Sequence, residues 1–353
     1  MTEYRIPARL NPFQRRMYEH LVEYKWNVLK VKEPGVWEHP KQKGTFVPYD
    51  TMFPENLRHH LYPLYRPVVD IFRSPRDPRY AFKLHPMAVH MASSQVACAN
   101  LFLPLMVKPK TAAEVLSSIK TDMAEIATDR LDSGFAVEFW NDFDVIPKPG
   151  KGLLNDHNKR AGTDADIAVA YRDKDGVLCL WLIEHKLTEA EFTTCGGYRS
   201  DKNENKSRCM AAESVVSNPD TCHYHSACRY EYWNITLANR NVFPLAGVGA
   251  ASCPFMGGMN QLWRNQLLAT AIEASPDWPY ERVFFSVVHH PGNEYLNDSM
   301  RGFKDLLGTK DRFFWFTSDR VVESALGSDD EETRAWAEWY RELYRPVPSP
   351  TKG

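Results

Sequence analysis

The chain lacks the features of a membrane protein and of a strongly charged one. No apolar run reaches the roughly 18 residues that a membrane-spanning helix needs, so we expect no membrane partner. The 43 Lys and Arg residues nearly balance 45 Asp and Glu residues, which leaves a formal net charge of -2. This balance argues against a uniformly basic protein that coats nucleic acid. It leaves room for a local basic groove, because net charge does not describe how charges are distributed.

The N-terminal segment also lacks the apolar stretch of a secretory signal, so we expect a cytoplasmic protein. The seven cysteines are an odd number, and without a signal they indicate reduced thiols or metal ligands rather than a disulfide framework. The length of 353 residues and the 43% hydrophobic content are sufficient for one large domain or two ordinary ones.

The N-terminal third of the sequence carries mainly helical patterns. Residues 1–30 are predicted to be helical, since Asn11-Pro12 is a typical helix start and apolar residues then recur at helical spacing. Residues 31–60 are rich in Pro, Gly and Lys and are predicted to be an irregular arm. Two further helices are predicted, over about 86–103 and over 111–130, the second with a clear amphipathic stripe.

The pattern then changes to strands. Strands are predicted at 134–140, 165–171, 177–186 and 282–290, with an Asp175-Gly176 hairpin turn between the second and third. A helix is predicted at 259–274, and the C-terminal part adds a strand at 313–316 and a helix at about 330–344. From 111 to 290 the order is helix, three strands, a long insert, helix and strand. This order predicts an α/β core with a four-stranded sheet.

The placement of acidic residues carries the functional signal. Asp164 and Asp166 share one face of the second strand, because side chains alternate along a strand. The third strand, LCLWLIEHK, is apolar until it ends with Glu184 and Lys186 on one face. The hairpin makes these strands neighbours, so Asp166 and Glu184 are expected to converge.

Two converging carboxylates repel each other and favour a hard divalent cation, such as Mg²⁺ or Mn²⁺. Such an ion activates a water molecule and stabilises charge on a phosphate. Lys186 would orient that water or neutralise charge on the phosphorus. The plainer alternative is a strand-end salt bridge between Glu184 and Lys186 without catalysis.

The strings GTDAD (162–166) and WLIEHK (181–186) resemble the PD-(D/E)XK nuclease superfamily, the restriction-endonuclease-like fold, in its bacterial restriction-type members. The resemblance covers about 111–290, and Ala165 stands where the motif name has Pro. It implies that Asp166 and Glu184 are metal ligands and that Lys186 is the catalytic lysine. It further implies metal-dependent hydrolysis of DNA, with RNA not excluded, in restriction, defence or repair.

The resemblance also implies a further acid and a substrate-facing helix. Glu138 on the first strand is favoured over Glu125 and Glu114 as the further catalytic acid. Asp164 is expected in a supporting position. In the helix at 259–274, the residues expected to bind substrate are Gln261, Arg264 and Asn265. The alternative for that helix is ordinary surface hydrogen bonding.

The predicted organisation is an N-terminal helical and irregular extension (1–110), the nuclease core (111–290) and a C-terminal α/β extension (291–353). The core contains a cysteine-rich insert (190–256). The insert suggests a Zn²⁺ or iron–sulfur site, because four cysteines suit either group. The candidate ligands are Cys195, Cys209, Cys222 and Cys228, and the alternative is a set of ordinary buried or free thiols.

Two other functions remain open from the sequence. The first is a nucleic-acid-binding protein that has the same fold and no catalysis. The second is a cysteine–metal interaction module in which the acidic pair is structural only.

Overall fold

The computed structural model describes residues 4–38, 42–60, 63–69, 84–141, 150–158, 162–210, 212–245 and 253–345. Its strands are β1 Gly35–Glu38, β2 Phe46–Tyr49, β3 Met123–Ile126, β4 Phe135–Phe139, β5 Ala165–Asp173, β6 Leu178–Lys186, β7 Arg282–His289 and β8 Phe313–Thr317. Its α-helices are α1 Pro12–Asn27, α2 Ser94–Met106, α3 Pro109–Leu116, α4 Gly196–Arg199, α5 Lys206–Met210, α6 Ala212–Ser217, α7 His223–Ser226, α8 Tyr232–Ala238, α9 Asn260–Ala274, α10 Asn297–Leu306, α11 Ser318–Leu326 and α12 Glu331–Leu343. Short 3-10 helices lie at Glu55–His60, Arg66–Val68, Pro86–Val89, Pro219–Thr221, Glu294–Leu296 and Lys310–Arg312.

The N-terminal helix starts where the sequence predicts. Asn11 and Gln14 form a reciprocal capping box, and Pro12 occupies the first turn, where a missing N–H costs nothing. The segment 31–60 is more regular than predicted, because β1 and β2 pair as an antiparallel hairpin and residues Glu55–His60 form a 3-10 helix. The prediction of an irregular arm is therefore wrong for these stretches.

The helix predicted over 86–103 differs from the structure at both ends. Residues Pro86–Val89 form a 3-10 helix, and α2 begins only after Ser93, whose hydroxyl accepts from the Val96 N–H. Pro104 lies inside α2 instead of ending it. A helical proline leaves the carbonyl four residues earlier without its N–H partner. Here that carbonyl, on Asn100, accepts from Trp336 Nε1 at 2.7 Å.

The helix predicted over 111–130 is wrong beyond Leu116. The chain leaves α3 there and forms β3, which pairs antiparallel with β5. Met123 and Ile126 are both buried although they lie three residues apart, because a register shift between Met123 and Glu125 turns both side chains inward. The bulged strand therefore reproduces the spacing of a helical stripe.

One six-stranded mixed sheet organises the fold, in the order β3-β5-β6-β7-β8, with β4 also paired to β5. The pairs β5–β6 are antiparallel, whereas β6–β7 and β7–β8 are parallel. Gly176 in the β5–β6 turn has a φ of 80°, a conformation that favours glycine. The expectation of an α/β fold is confirmed, and the predicted four-stranded sheet gains β3 and β8.

Both faces of the sheet are covered. On one face Trp181 and Ile183 of β6 pack with residues of α1, α2 and α12. On the other face Leu180 and Leu182 pack with α9 and α10. This arrangement explains why β6 reads as a continuous apolar run, since alternate residues enter two different cores. Within the ranges given above, no helix is long and apolar enough to cross a membrane.

Candidate functional site

The hairpin of β5 and β6 brings the predicted acidic residues to one end of the sheet. The register pairs Ile167 with Ile183, which places Asp166 beside Glu184 at the next position. On the other side of β5, the pairs Val137–Ile167 and Phe139–Ala165 flank Glu138 and Asp166. The carboxylates of Glu138, Asp166 and Glu184 therefore lie on three adjacent strands in one row.

Glu184 is buried and both of its carboxylate oxygens accept hydrogen bonds. Oε1 lies 2.9 Å from Lys186 Nζ and accepts from Gln261 Nε2 at 2.7 Å, while Oε2 accepts from Asn265 Nδ2 at 2.8 Å. Burial lowers the pKa of Lys186, but the nearby carboxylates, Glu184 first, outweigh it and hold that pKa above its ordinary value. Lys186 is therefore a fixed cation beside an anchored carboxylate.

The surroundings favour the charged form of Lys186 but disfavour the charged form of Asp166. Its Oδ2 accepts from the backbone N–H of His185 at 2.6 Å. Burial raises the pKa of Asp166 well above its ordinary value, and the charges of Glu184 and Glu138 add to this, while Lys186 opposes it. The site thus holds carboxyl groups that repel one another when ionised, in a region that water reaches poorly.

Glu138 completes the row and carries two marks of a constrained residue. It has a φ of 51°, which non-glycine residues seldom adopt. Its Oε1 accepts from Gln95 Nε2 at 2.8 Å. Burial and then the charge of the neighbouring Asp164 carboxyl raise the pKa of Glu138 to about 7.

The two competing acids lie elsewhere. Glu125 is on β3, is 66% exposed and has Arg172 Nη1 at 4.0 Å. It pairs with Arg172 in the sheet, six residues along β5 from Asp166, which corresponds to about 20 Å of strand. Glu114 lines a surface cavity of about 490 Å³ that it shares with Glu125. Glu138 is therefore the acid that the fold brings to Asp166.

Helix α9 contributes the polar residues predicted to face substrate. Gln261 and Asn265 both contact Glu184, and Gln261 Oε1 also accepts from the Thr193 N–H at 3.2 Å. Arg264 contacts the residues just before β5. Its Nη1 lies 3.2 Å from Thr163 Oγ1 and 3.5 Å from the Gly162 carbonyl. Their contact with substrate stays a prediction.

Ser94 and Gln95 are supporting residues without an assigned role in the sequence prediction. Ser94 Oγ donates to the His185 carbonyl at 2.7 Å, and Gln95 holds Glu138. His185 itself is buried, and burial lowers its pKa to about 3, so it is neutral. The Ser93-Ser94-Gln95 string at the start of α2 was the available signal, but only the packing of α2 on β6 shows what it contacts.

Across the described ranges, no three His, Cys, Asp or Glu side chains are arranged as a ready metal cluster. The donors of the carboxylate row nevertheless fit a hard divalent cation. The pKa values of Asp166 and Glu138 are raised by burial and by neighbouring carboxyls, and a bound cation would relieve both effects. Asp166 and Glu184 are the residues that would hold it.

All seven cysteines are free thiols. Cys209 and Cys222 lie close together, and Cys195 and Cys253 interact electrostatically with both. Cys228 interacts with Cys222, but the cysteine that joins the other three is Cys253. The predicted ligand set of Cys195, Cys209, Cys222 and Cys228 stays a prediction.

The chain is similar to a known protein family over most of its length. A family described as "Restriction Endonuclease associating with ARP" matches residues 28–344, a range that includes the carboxylate row and helix α9. No curated protein and no solved structure matches the chain. The chain belongs to the family of restriction endonucleases associating with ARP.

Proposed function

We propose that this protein is a metal-dependent nuclease of the PD-(D/E)XK type that hydrolyses DNA phosphodiester bonds. The observation that carries the proposal is the row of Glu138, Asp166 and Glu184 with Lys186 bonded to Glu184. Membership of a restriction endonuclease family supports a nuclease role and DNA as the substrate. The family description also names ARP, so we propose that the nuclease works with a protein partner of that designation.

The chain's own residues would divide the chemistry among them. Asp166 and Glu184 would hold Mg²⁺ or Mn²⁺, which activates water and neutralises phosphate charge when bound. Lys186 keeps its proton, because the carboxylates raise its pKa, and it would stabilise the negative charge that develops on the phosphate. Glu138, with a pKa of about 7, can accept or release a proton near neutral pH.

Helix α9 would position this machinery. Gln261 and Asn265 fix the Glu184 carboxylate from two directions, so its oxygens cannot rotate away from the metal position. Arg264, the one basic residue of α9, lies beside Thr163 and is suited to contact a phosphate that enters beside β5.

The test is a cleavage assay with supercoiled plasmid and with single-stranded DNA, in Mg²⁺, in Mn²⁺ and in EDTA. We expect cleavage only with metal, and a loss of about 100-fold or more in Asp166→Ala and Lys186→Ala, the scale for removing a charge-stabilising group. Glu125→Ala is the matched control, since this acid lies on the same sheet beside Arg172.

Metal-dependent cleavage that persists equally in Asp166→Ala and Lys186→Ala would disprove the site assignment. DNA binding without cleavage in any metal, unchanged by Lys186→Ala, would show a binding protein on this fold instead. An RNA substrate in the same assay decides between the two nucleic acids.

A further inference from the structure

A second cluster of reactive side chains lies in the cysteine-rich insert. Backbone hydrogen bonds join the chain segments that carry it: the Cys195 N–H donates to the Met256 carbonyl at 3.1 Å, and the Cys253 N–H donates to the Met210 carbonyl. Three of its cysteines, Cys195, Cys209 and Cys222, are 5–7% exposed. Residues distant in sequence are therefore held together here by the backbone.

The same local geometry occurs at three of these cysteines. The Cys195 sulfur accepts from the N–H groups of Gly197 and Tyr198, the latter at 3.3 Å. The N–H groups of Tyr224 and His225 lie near the Cys222 thiol, and the His225 N–H donates to the Cys222 carbonyl at 3.0 Å. In the third case, the N–H groups of Phe255 and Met256 lie near the Cys253 thiol, and the Met256 N–H donates to the Cys253 carbonyl at 3.1 Å.

In each case the donors lie two and three residues after the cysteine. Two backbone N–H groups directed at one sulfur favour the negatively charged thiolate, because hydrogen bonds to an ionised acceptor are the stronger ones. A thiolate is the form of cysteine that binds metal.

The four cysteines are also neighbours of one another. Cys209 and Cys222 lie close together, and Cys195 and Cys253 lie close enough to interact electrostatically with both. Cys209 therefore joins the three cysteines described above. Helices α4 and α7 are also packed tightly, since a methyl group at Gly196 would come within 2.9 Å of the Tyr224 hydroxyl oxygen.

We propose that Cys195, Cys209, Cys222 and Cys253 bind one structural zinc ion. Four thiolates in tetrahedral array are a typical zinc site. In the part of the chain that the structure describes, no three of these side chains already form a metal cluster, so the thiols must rotate to close on the ion. The backbone donor to the Cys195 sulfur is already in place.

Zinc and an iron–sulfur cluster both take four thiolates, and the experiment below distinguishes them. Cys253, which interacts with both Cys209 and Cys222, replaces Cys228 as the fourth ligand. The proposal does not depend on the nuclease site, which uses other residues.

The experiment measures metal in the purified full-length chain, expressed with zinc in the medium. We expect about one zinc per chain, and its loss in Cys222→Ser and in Cys253→Ser. The matched control is Cys228→Ser, a partly exposed cysteine of the same insert, which should keep its zinc. Because the ligand variants could fail to fold, zinc release from the folded wild-type chain is followed while a mercurial reagent titrates the thiols.

Replacement of the zinc by cobalt(II) gives a second measurement on the folded protein. We expect the intense visible bands of tetrahedral thiolate coordination, present in Cys228→Ser as in the wild-type chain. A zinc-free protein, or equal zinc loss in Cys228→Ser and Cys253→Ser, would overturn the proposal. Bound iron with acid-labile sulfide would overturn it in favour of an iron–sulfur cluster.

Discussion

Single residues show how far the candidate site could be predicted. Asp166, Glu184 and Lys186 followed from strand alternation and from a charged end on an apolar strand, which are local properties of the sequence. The contacts of Gln261 and Asn265 with Glu184 did not follow, because they depend on how α9 packs against the sheet. Cys253 was missed as a partner of Cys222 for the same reason, since 31 positions of chain separate the two.

Glu138 provides a prediction about pH. Its pKa is about 7 in the folded chain and close to 4.5 when exposed, so the folded state binds the proton more tightly. Its contribution to stability is therefore complete below pH 4.5 and is lost as the pH rises through 7. The difference corresponds to about 3 kcal/mol of unfolding free energy.

We expect Glu138→Gln to remove this loss, so that the variant gains stability over the wild-type chain as the pH rises from 5 to 8. Urea unfolding in EDTA at both pH values measures the effect. Glu125→Gln is the control, because that side chain is 66% exposed. The same pH dependence in wild type and Glu138→Gln would contradict the prediction.

The prediction of secondary-structure elements from the sequence fails for a different reason. Most strands and the long helices were predicted, the strands from their apolar runs and α1 from its Asn11-Pro12 start. The stretch 111–130 was not, because the bulge in β3 gives Met123 and Ile126 a helical spacing. Helix α2 was predicted to end at Pro104, but a tertiary partner replaces the missing N–H bond.

The hydrogen bond from Trp336 to Asn100 allows a test of how α2 accommodates Pro104. In Trp336→Phe the Asn100 carbonyl loses its donor, and a buried unpaired carbonyl costs about 1–3 kcal/mol. Pro104→Ala restores an N–H that can reach the same carbonyl, so we expect Trp336→Phe to cost less in the Pro104→Ala background. Urea unfolding of the four proteins gives the coupling free energy, and a value near zero would show that Trp336 does not replace the helical bond.

The whole molecule is organised by the shared sheet rather than by the order of its segments. The sequence predicted a central order of helix, three strands, helix and strand, whereas the structure adds a fourth strand, β3, between α3 and β4. The positions of β3 and β8 at the two ends of the sheet depend on pairing between distant segments, which no local pattern encodes. The family match, 28–344, extends through β8 and α12 as well.

This organisation predicts that the residues after 290 are part of the folding unit. Phe313 and Phe316 of β8 are buried, and so are Trp336 and Tyr340 of α12, which belong to the core that also contains Trp181 of β6. A chain that ends at residue 290 would lose these contacts and leave the parallel edge of β7 unpaired. We expect it to aggregate or to unfold without a cooperative transition, while the full chain unfolds cooperatively. Circular dichroism during thermal unfolding and size-exclusion chromatography measure both, and a soluble, cooperatively folded fragment would show that residues 291–353 form a separate extension.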